Sequence, residues 1–139
     1  MNTVSNEESV ITATRVPEHK RLDFLPRHFG RLMMLTEIKV YAHLTRLCAN
    51  YRGGYWEFYD LSNGGCYMAP ASGEFHITAE NGYEGSVNAD TAGIIATLYA
   101  LSHLAFAYEA QEIFVTRFHQ LREFALNHPS ANDIFAAIN

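Results

Sequence analysis

Residues 51–70 read Tyr-Arg-Gly-Gly-Tyr-Trp-Glu-Phe-Tyr-Asp-Leu-Ser-Asn-Gly-Gly-Cys-Tyr-Met-Ala-Pro. Two aromatic-rich runs, Tyr55 to Leu61 and Cys66 to Ala69, flank Ser62-Asn63-Gly64-Gly65. Aromatic side chains suit the pleated, half-buried surface of a strand. Asn-Gly between two such runs signals a hairpin, because a type I′ turn needs positive φ at both central residues. Pro70 stops the return strand, since it has no N–H to give a ladder. The pattern recurs downstream. Phe75, Ile77 and Ala79 alternate with Glu74, His76 and Thr78, and Asn81-Gly82 turns the chain into Tyr83 to Val87. The spacing predicts a small antiparallel meander of three or four strands.

Helices flank this meander. Pro17 suits the first position of a short helix, which Pro26 then interrupts. From Leu32 or Thr36 to about Asn50 the period is helical, with Val40, Leu44, Leu47 and Cys48 on one face, and Gly53-Gly54 closes the element. Asn88 or Asp90 caps the next helix. From Ala89 to Asn127 there is no Pro, and Gly93 is the lone Gly. One unbroken helix there would be roughly 58 Å long, too long for a domain with a radius of gyration of about 14 Å. A break is therefore expected near Tyr108 to Glu112. The first piece is apolar nearly all round, as in a central buried helix, with Gly93, Ala96 and Ala100 permitting close packing. Phe114, Phe118, Leu121 and Ala125 make the second piece amphipathic, and Pro129 ends it. Ser130 to Asp133 reads as a capping box for a last helix ending at Ile138. The expectation is an α+β fold in a single domain over residues 14–139, with the meander packed against several helices. A polar, mobile N-terminal arm is expected over residues 1–13.

Apolar residues make up 48% and charged residues 18% of the 139, which excludes a disordered chain. The formal charge of −5 argues against strong direct nucleic-acid binding. The charges are segregated. Residues 1–52 hold eight basic and five acidic side chains, a net of +3, whereas residues 53–116 hold eight acids and no Lys or Arg. Such segregation means either ion pairing across the domain or two faces of opposite sign. Two cysteines, Cys48 and Cys66, are expected as free thiols. The N-terminus lacks the apolar run of a signal peptide. Ala92 to Ala107 falls short of the roughly 20 residues that span a bilayer. A cytoplasmic protein without a membrane segment is expected.

Catalytic signatures are scarce. The seven histidines show no tight ligand spacing, so no metal or cofactor is expected. His103 on the apolar helix reads as a core histidine. The doublets Gly53-Gly54 and Gly64-Gly65 lack the Lys and following helix of a phosphate cradle. Cys66 has no basic neighbour in sequence to lower its pKa. A small enzyme would have to be built on Cys66, or on a His–carboxylate pair drawing on His76 or His103. The alternative is a binding surface. If Trp56 and Phe58 turn inward, Tyr55, Glu57 and Tyr59 face out, and the reverse holds otherwise. Either way aromatic and acidic groups share a face, and Tyr and Trp dominate interface energetics.

The run Tyr51 to Pro70, with Asp-Phe-Leu-Pro-Arg-His-Phe-Gly at 23–30 and Asn-Ala-Asp-Thr-Ala-Gly-Ile-Ile-Ala-Thr-Leu-Tyr-Ala-Leu at 88–101, resembles the ArdB/KlcA family of antirestriction proteins. The likeness extends from about Arg15 to the C-terminus. It implies a non-enzymatic protein of plasmids or other mobile elements, protecting incoming DNA from type I restriction–modification enzymes. It also implies a single α+β domain. The implied partner is the restriction enzyme or an associated cellular factor. The family brings no catalytic residue to carry over. The candidate interaction surface is the stretch free of basic residues: Tyr55, Trp56, Glu57, Tyr59 and Asp60, with Glu80 and Glu84. Arg15 and Arg27 are a second, weaker candidate contact.

Overall fold

The quoted stretch folds as a hairpin in the computed structural model, which describes residues 10–139. Strand β2 (Trp56–Leu61) runs antiparallel to β3 (Cys66–Pro70), with Trp56 opposite Pro70 and Asp60 opposite Cys66. The first strand, β1 (Ala13–Arg15), lies on the other side of β2 and completes a three-stranded sheet. Trp56 and Phe58 are the inward pair, both buried. The turn differs from the type I′ expectation. The Leu61 N–H donates to the Gly65 carbonyl at 2.9 Å, and the Gly64 N–H to the Leu61 carbonyl at 3.0 Å. Gly64 has φ +94°, and no non-glycine among the described residues has positive φ. The connection is thus a three-residue loop ending in a left-handed glycine, which spares Asn63 the strained conformation.

Strands β4 (Glu74–Thr78) and β5 (Glu84–Asn88) repeat the device, with the Gly82 N–H donating to Ala79 and Gly82 at φ +99°. The two hairpins do not merge into one meander: β4 and β5 form a separate two-stranded sheet. Pro70 ends β3, and the left-handed Gly73 at φ +115° redirects the chain before β4. Both hairpin tips are anchored to helices late in the sequence. The Asn63 side-chain amide donates to the Gln120 carbonyl and the Gln120 amide to the Asn63 carbonyl, each at 3.0 Å. The Asn81 amide donates to the Ala136 carbonyl at 2.9 Å.

Of the expected arm, residues 1–9 lie outside the described ones. Its last residue, Ala13, belongs to β1, and the Ser62 N–H donates to the Thr12 carbonyl just before it. A 3₁₀ turn (Glu18–Lys20) follows Pro17 and leads into α1 (Arg21–Phe29). Pro26 lies inside α1 and does not interrupt it. The helix runs on to Phe29, since the buried Phe24, His28 and Phe29 hold it to the core and offset the one missing backbone bond. Helix α2 (Met33–Leu47) buries Val40, Leu44 and Leu47, with Cys48 at its C-cap, as the period predicts. It stops at Leu47, and Gly53-Gly54 shape the crossing to β2 instead of capping the helix.

Helix α3 (Ala89–Ala107) and helix α4 (Glu112–Ala125) are separated over residues 108–111, where the length argument places the break. The Asn88 side chain caps α3 by accepting from the Thr91 N–H at 2.9 Å. By length and composition α3 meets the requirement for a membrane span, but most of it is buried inside the protein. The last helix, α5 (Ala131–Ile138), has no side-chain cap from Ser130, so the capping box does not form; the Ser130 N–H donates instead to His128 Nδ1.

Helix α3 lies directly on β3. Gly93 and Thr97 are one turn apart on the same helix face. Thr97 Oγ1 accepts from the Met68 N–H and donates to the Met68 carbonyl, both at 3.3 Å, and so closes the edge of β3. A Cβ placed on Gly93 would lie 2.3 Å from Ala69 Cα and 2.4 Å from the Met68 carbonyl oxygen. Backbone is the obstacle there, so no rotamer change relieves it. Gly93→Ala is therefore expected to destabilise the fold by about 1–3 kcal/mol or more, read as a lower urea midpoint. A midpoint equal to the parent's would refute this close approach.

Candidate functional site

The sequence-derived surface does not assemble as one patch. Tyr55 is exposed (53%), with its hydroxyl on Glu18 Oε1 at 3.1 Å. The Arg21 guanidinium sits 4.5 Å from the ring centres of both Tyr55 and Phe58. Trp56 is a correction: it is buried, its indole N–H donates to the Tyr51 hydroxyl at 2.8 Å, and Tyr41 packs edge-on against it. Alternation along β2 forces this, because Trp56 and Phe58 share the inward face. Tyr59 is half-buried and stacks on Tyr67 with ring centres 4.7 Å apart. Glu57 is held between Arg15 at 3.7 Å and Arg21 at 3.6 Å. Asp60 accepts from both terminal nitrogens of Arg27 at 3.2 Å, and from His28 Nε2 at 2.6 Å. Glu80 and Glu84 belong to the second hairpin, paired with Arg46 and His76. The segregated charges of the sequence are thus in good part internal pairs, with Arg15, Arg21, Arg27 and Arg46 meeting acids of the middle stretch.

The enzyme alternative finds no nucleophile in Cys66. The thiol is buried, and burial pushes it up to about 12, so it stays protonated at neutral pH. His76 is exposed and bridges Glu84 and Ser86. His103 is a further correction: it is exposed, at the lip of a groove rather than in the core. Among the described residues no three His, Cys, Asp or Glu side chains converge as a metal cage.

The surface that sequence reasoning missed lies on the other side of Arg21. Leu22 is 96% exposed, Met34 65% and Ile38 59%. Leu22 and Met34, with Leu25, Met33 and Phe58, line a cavity of about 330 Å³ between α1 and α2, and Arg21 joins it to Tyr55. Met34 and Ile38 are spaced i, i+4, away from the core stripe of Val40, Leu44 and Leu47. A second apolar stripe on one amphipathic helix was the signal available.

Two histidine–carboxylate pairs and one lone histidine couple stability to pH. Burial opposes ionisation of Asp60 and Asp90, but the hydrogen bonds they accept outweigh it and hold both below the ordinary carboxylate value. Those of Asp60 come from His28 and Arg27, and those of Asp90 from His128 and Tyr67. Burial lowers His28, and it lowers His43 from 6.5 to about 4. A depressed histidine binds its proton more readily unfolded, so its stabilisation is lost as pH falls below about 6.5. A depressed carboxyl loses its share below about 4. Stability is therefore expected to fall from pH 6.5 to 4, with His43 accounting for at most about 3 kcal/mol, and to fall further below pH 4. Urea midpoints across pH 3–8 test this. A flat profile from pH 6.5 to 4, or an unchanged slope in His43→Gln, would count against it.

Comparison with known proteins agrees with this architecture. The family model "Antirestriction protein" matches residues 49–139. An Escherichia coli protein named antirestriction protein KlcA is 48% identical over 142 residues, spanning 98% of this chain and the whole of that one. A second E. coli protein of that name is 45% identical over 94% of this chain and 95% of its own length. E. coli K12 YafX, uncharacterized, is 36% identical over 95% of this chain and 90% of its own. A solved structure superposes with a TM-score of 0.86 at 49% identity, over 93% of this chain and 95% of that one. Its description gives KlcA and ArdB a novel fold and antirestriction activity against type I DNA restriction systems in vivo but not in vitro. With these matches and this shared fold, the chain belongs to the ArdB/KlcA family of antirestriction proteins.

Proposed function

We propose that this protein protects incoming plasmid or mobile-element DNA from type I restriction enzymes in the cytoplasm, by binding a protein and not by catalysis. The family relation supports the protective role. The activity described for KlcA and ArdB, present in vivo and absent in vitro, supports a contact with a cellular component that a purified assay lacks. The contact surface is the exposed apolar patch of Leu22, Met34 and Ile38, bordered by Tyr55 and Glu57. The single observation that carries this is the exposure of three large aliphatic side chains, of which Leu22 and Met34 line one cavity, since exposed apolar clusters with a polar rim mark protein contacts. Tyr59 and Asp60, occupied by Tyr67 and by Arg27 with His28, play a supporting part. Glu80 and Glu84 stand on the other sheet and are not needed.

The test is phage plating on a type I restricting host. The double variant Leu22→Asp with Met34→Asp, which alters no core residue, is expected to lose protection entirely while its circular dichroism stays native. Glu80→Lys with Glu84→Lys is expected to protect as the parent does. Full protection by the folded first variant would sink the apolar contact. Loss in the second variant would move the contact to the β4–β5 hairpin.

A further inference from the structure

Helices α3, α4 and α5 leave a cavity of about 370 Å³ where they meet. Three helices line it, so it is a recess at their junction and not a trench between two. Its volume lies in the range of small-molecule sites, about 300–1,000 Å³. Leu98, Phe106, Phe118 and Ile138 give it apolar walls, and Ser102, His103 and Arg122 bring polar groups to it. Tyr99 is a fixed part of the wall, since its hydroxyl donates to the Ala137 carbonyl at 2.7 Å and so ties α3 to α5. Phe106 is 85% exposed. A large aromatic ring left in water beside a cavity gains burial when a ligand fills that cavity.

The charge in this recess is one-sided. No Asp or Glu lines it. The Arg122 guanidinium lies 5.1 Å from the centre of the Phe135 ring, a contact that holds the cation by its charge and uses none of its hydrogen-bond donors. Among the described residues Arg122 has no ion pair. Arginines at the other two cavities already have their acids: Arg46 has Glu80 at 2.8 Å, and Arg21 has Glu57 at 3.6 Å. An unpaired guanidinium among apolar walls selects a molecule that is apolar along its body and carries a carboxylate at one end. The planar fork matches a carboxylate with two parallel hydrogen bonds. Ser102 and His103 supply further donors to the same recess.

We propose that this recess binds a small apolar carboxylate, with its hydrocarbon part against Phe106 and Phe118 and its head on Arg122. An alcohol with the same hydrocarbon part keeps the apolar contacts and forgoes the charge-assisted hydrogen bonds. An amine of the same length sets a second cation against Arg122. The head group therefore decides affinity, and the apolar walls alone do not. The site stands apart from the α1–α2 patch and does not depend on the protective role.

Calorimetric titration of the full chain at neutral pH with decanoate, decanol and decylamine, each below the concentration at which it self-associates, tests the site. Decanoate is expected to saturate at one molecule per chain. Decanol should bind about tenfold more weakly or worse, and decylamine more weakly still. Arg122→Gln should lower decanoate affinity to that of decanol, whereas Phe106→Ser should weaken both. Both side chains are exposed, so these variants keep the fold. Leu22→Asp with Met34→Asp should bind decanoate as the parent does. Equal affinity for decanoate and decanol would overturn the proposal, and so would parent affinity in folded Arg122→Gln. Loss in the Leu22, Met34 variant would also overturn it by moving the ligand to the α1–α2 cavity. No binding of decanoate by the parent would overturn it as well, and leave the recess to a protein segment.

Discussion

The backbone of α3 at Gly93 rests on the backbone of β3 at Met68 and Ala69, with no room for a side chain between them. Placing helix and strand this close lets Thr97 reach both backbone groups of Met68, which satisfies polar groups that α3 would otherwise bury unpaired. From that contact the remaining elements take their places. Helices α2 and α4 pack along the flanks of α3. At its N-terminal end Asp90 accepts from the Tyr67 hydroxyl at 2.6 Å and from His128 Nε2 at 2.8 Å, which ties β3 to the turn before α5. The Ser130 N–H holds His128 Nδ1 as an acceptor, so Nε2 must carry the proton given to Asp90. A helix apolar on nearly every side thus acquires direction from a few polar groups at defined positions.

The charge distribution follows from the same arrangement. A basic first third and an acidic middle fold against each other, with arginines of α1 and β1 laid across β2. Arg27 meets Asp60 with two parallel hydrogen bonds, a geometry with more positional specificity than a single surface pair. These pairs neutralise acids that sequence alone would have left to a partner. What remains available on that side of the molecule is apolar surface, and the reading of the interaction site shifts from acidic to aliphatic.

Much of this was legible in the sequence because the relevant signals are periodic or metric. The core stripe of α2 repeats at helical spacing. The break between α3 and α4 follows from the length of helix that a domain of this size can cover. The alternation in β4 sets Phe75 and Ile77 inward. Other features depend on distant residues and left no local trace. Pro26 suggests interruption, yet Phe24, His28 and Phe29 secure α1 through tertiary packing. Asn-Gly announces a hairpin without distinguishing a two-residue loop from a three-residue one, because either accepts glycine at positive φ. Trp56 could be placed on either face until the covering helix was known.

The hairpin tips carry a last consequence. An isolated two-stranded hairpin is marginal in water, and the β4–β5 sheet shares no ladder with the larger one. Its loop is tied through Asn81 to the final turns of α5, which is the last element of the chain. The loop of the larger sheet is tied through Asn63 to α4. Fraying of the C-terminal helix therefore loosens one hairpin and leaves the other fastened. Two tiers of local opening follow from this arrangement, with backbone amides of β4 and β5 expected to exchange with solvent ahead of those in β2 and β3.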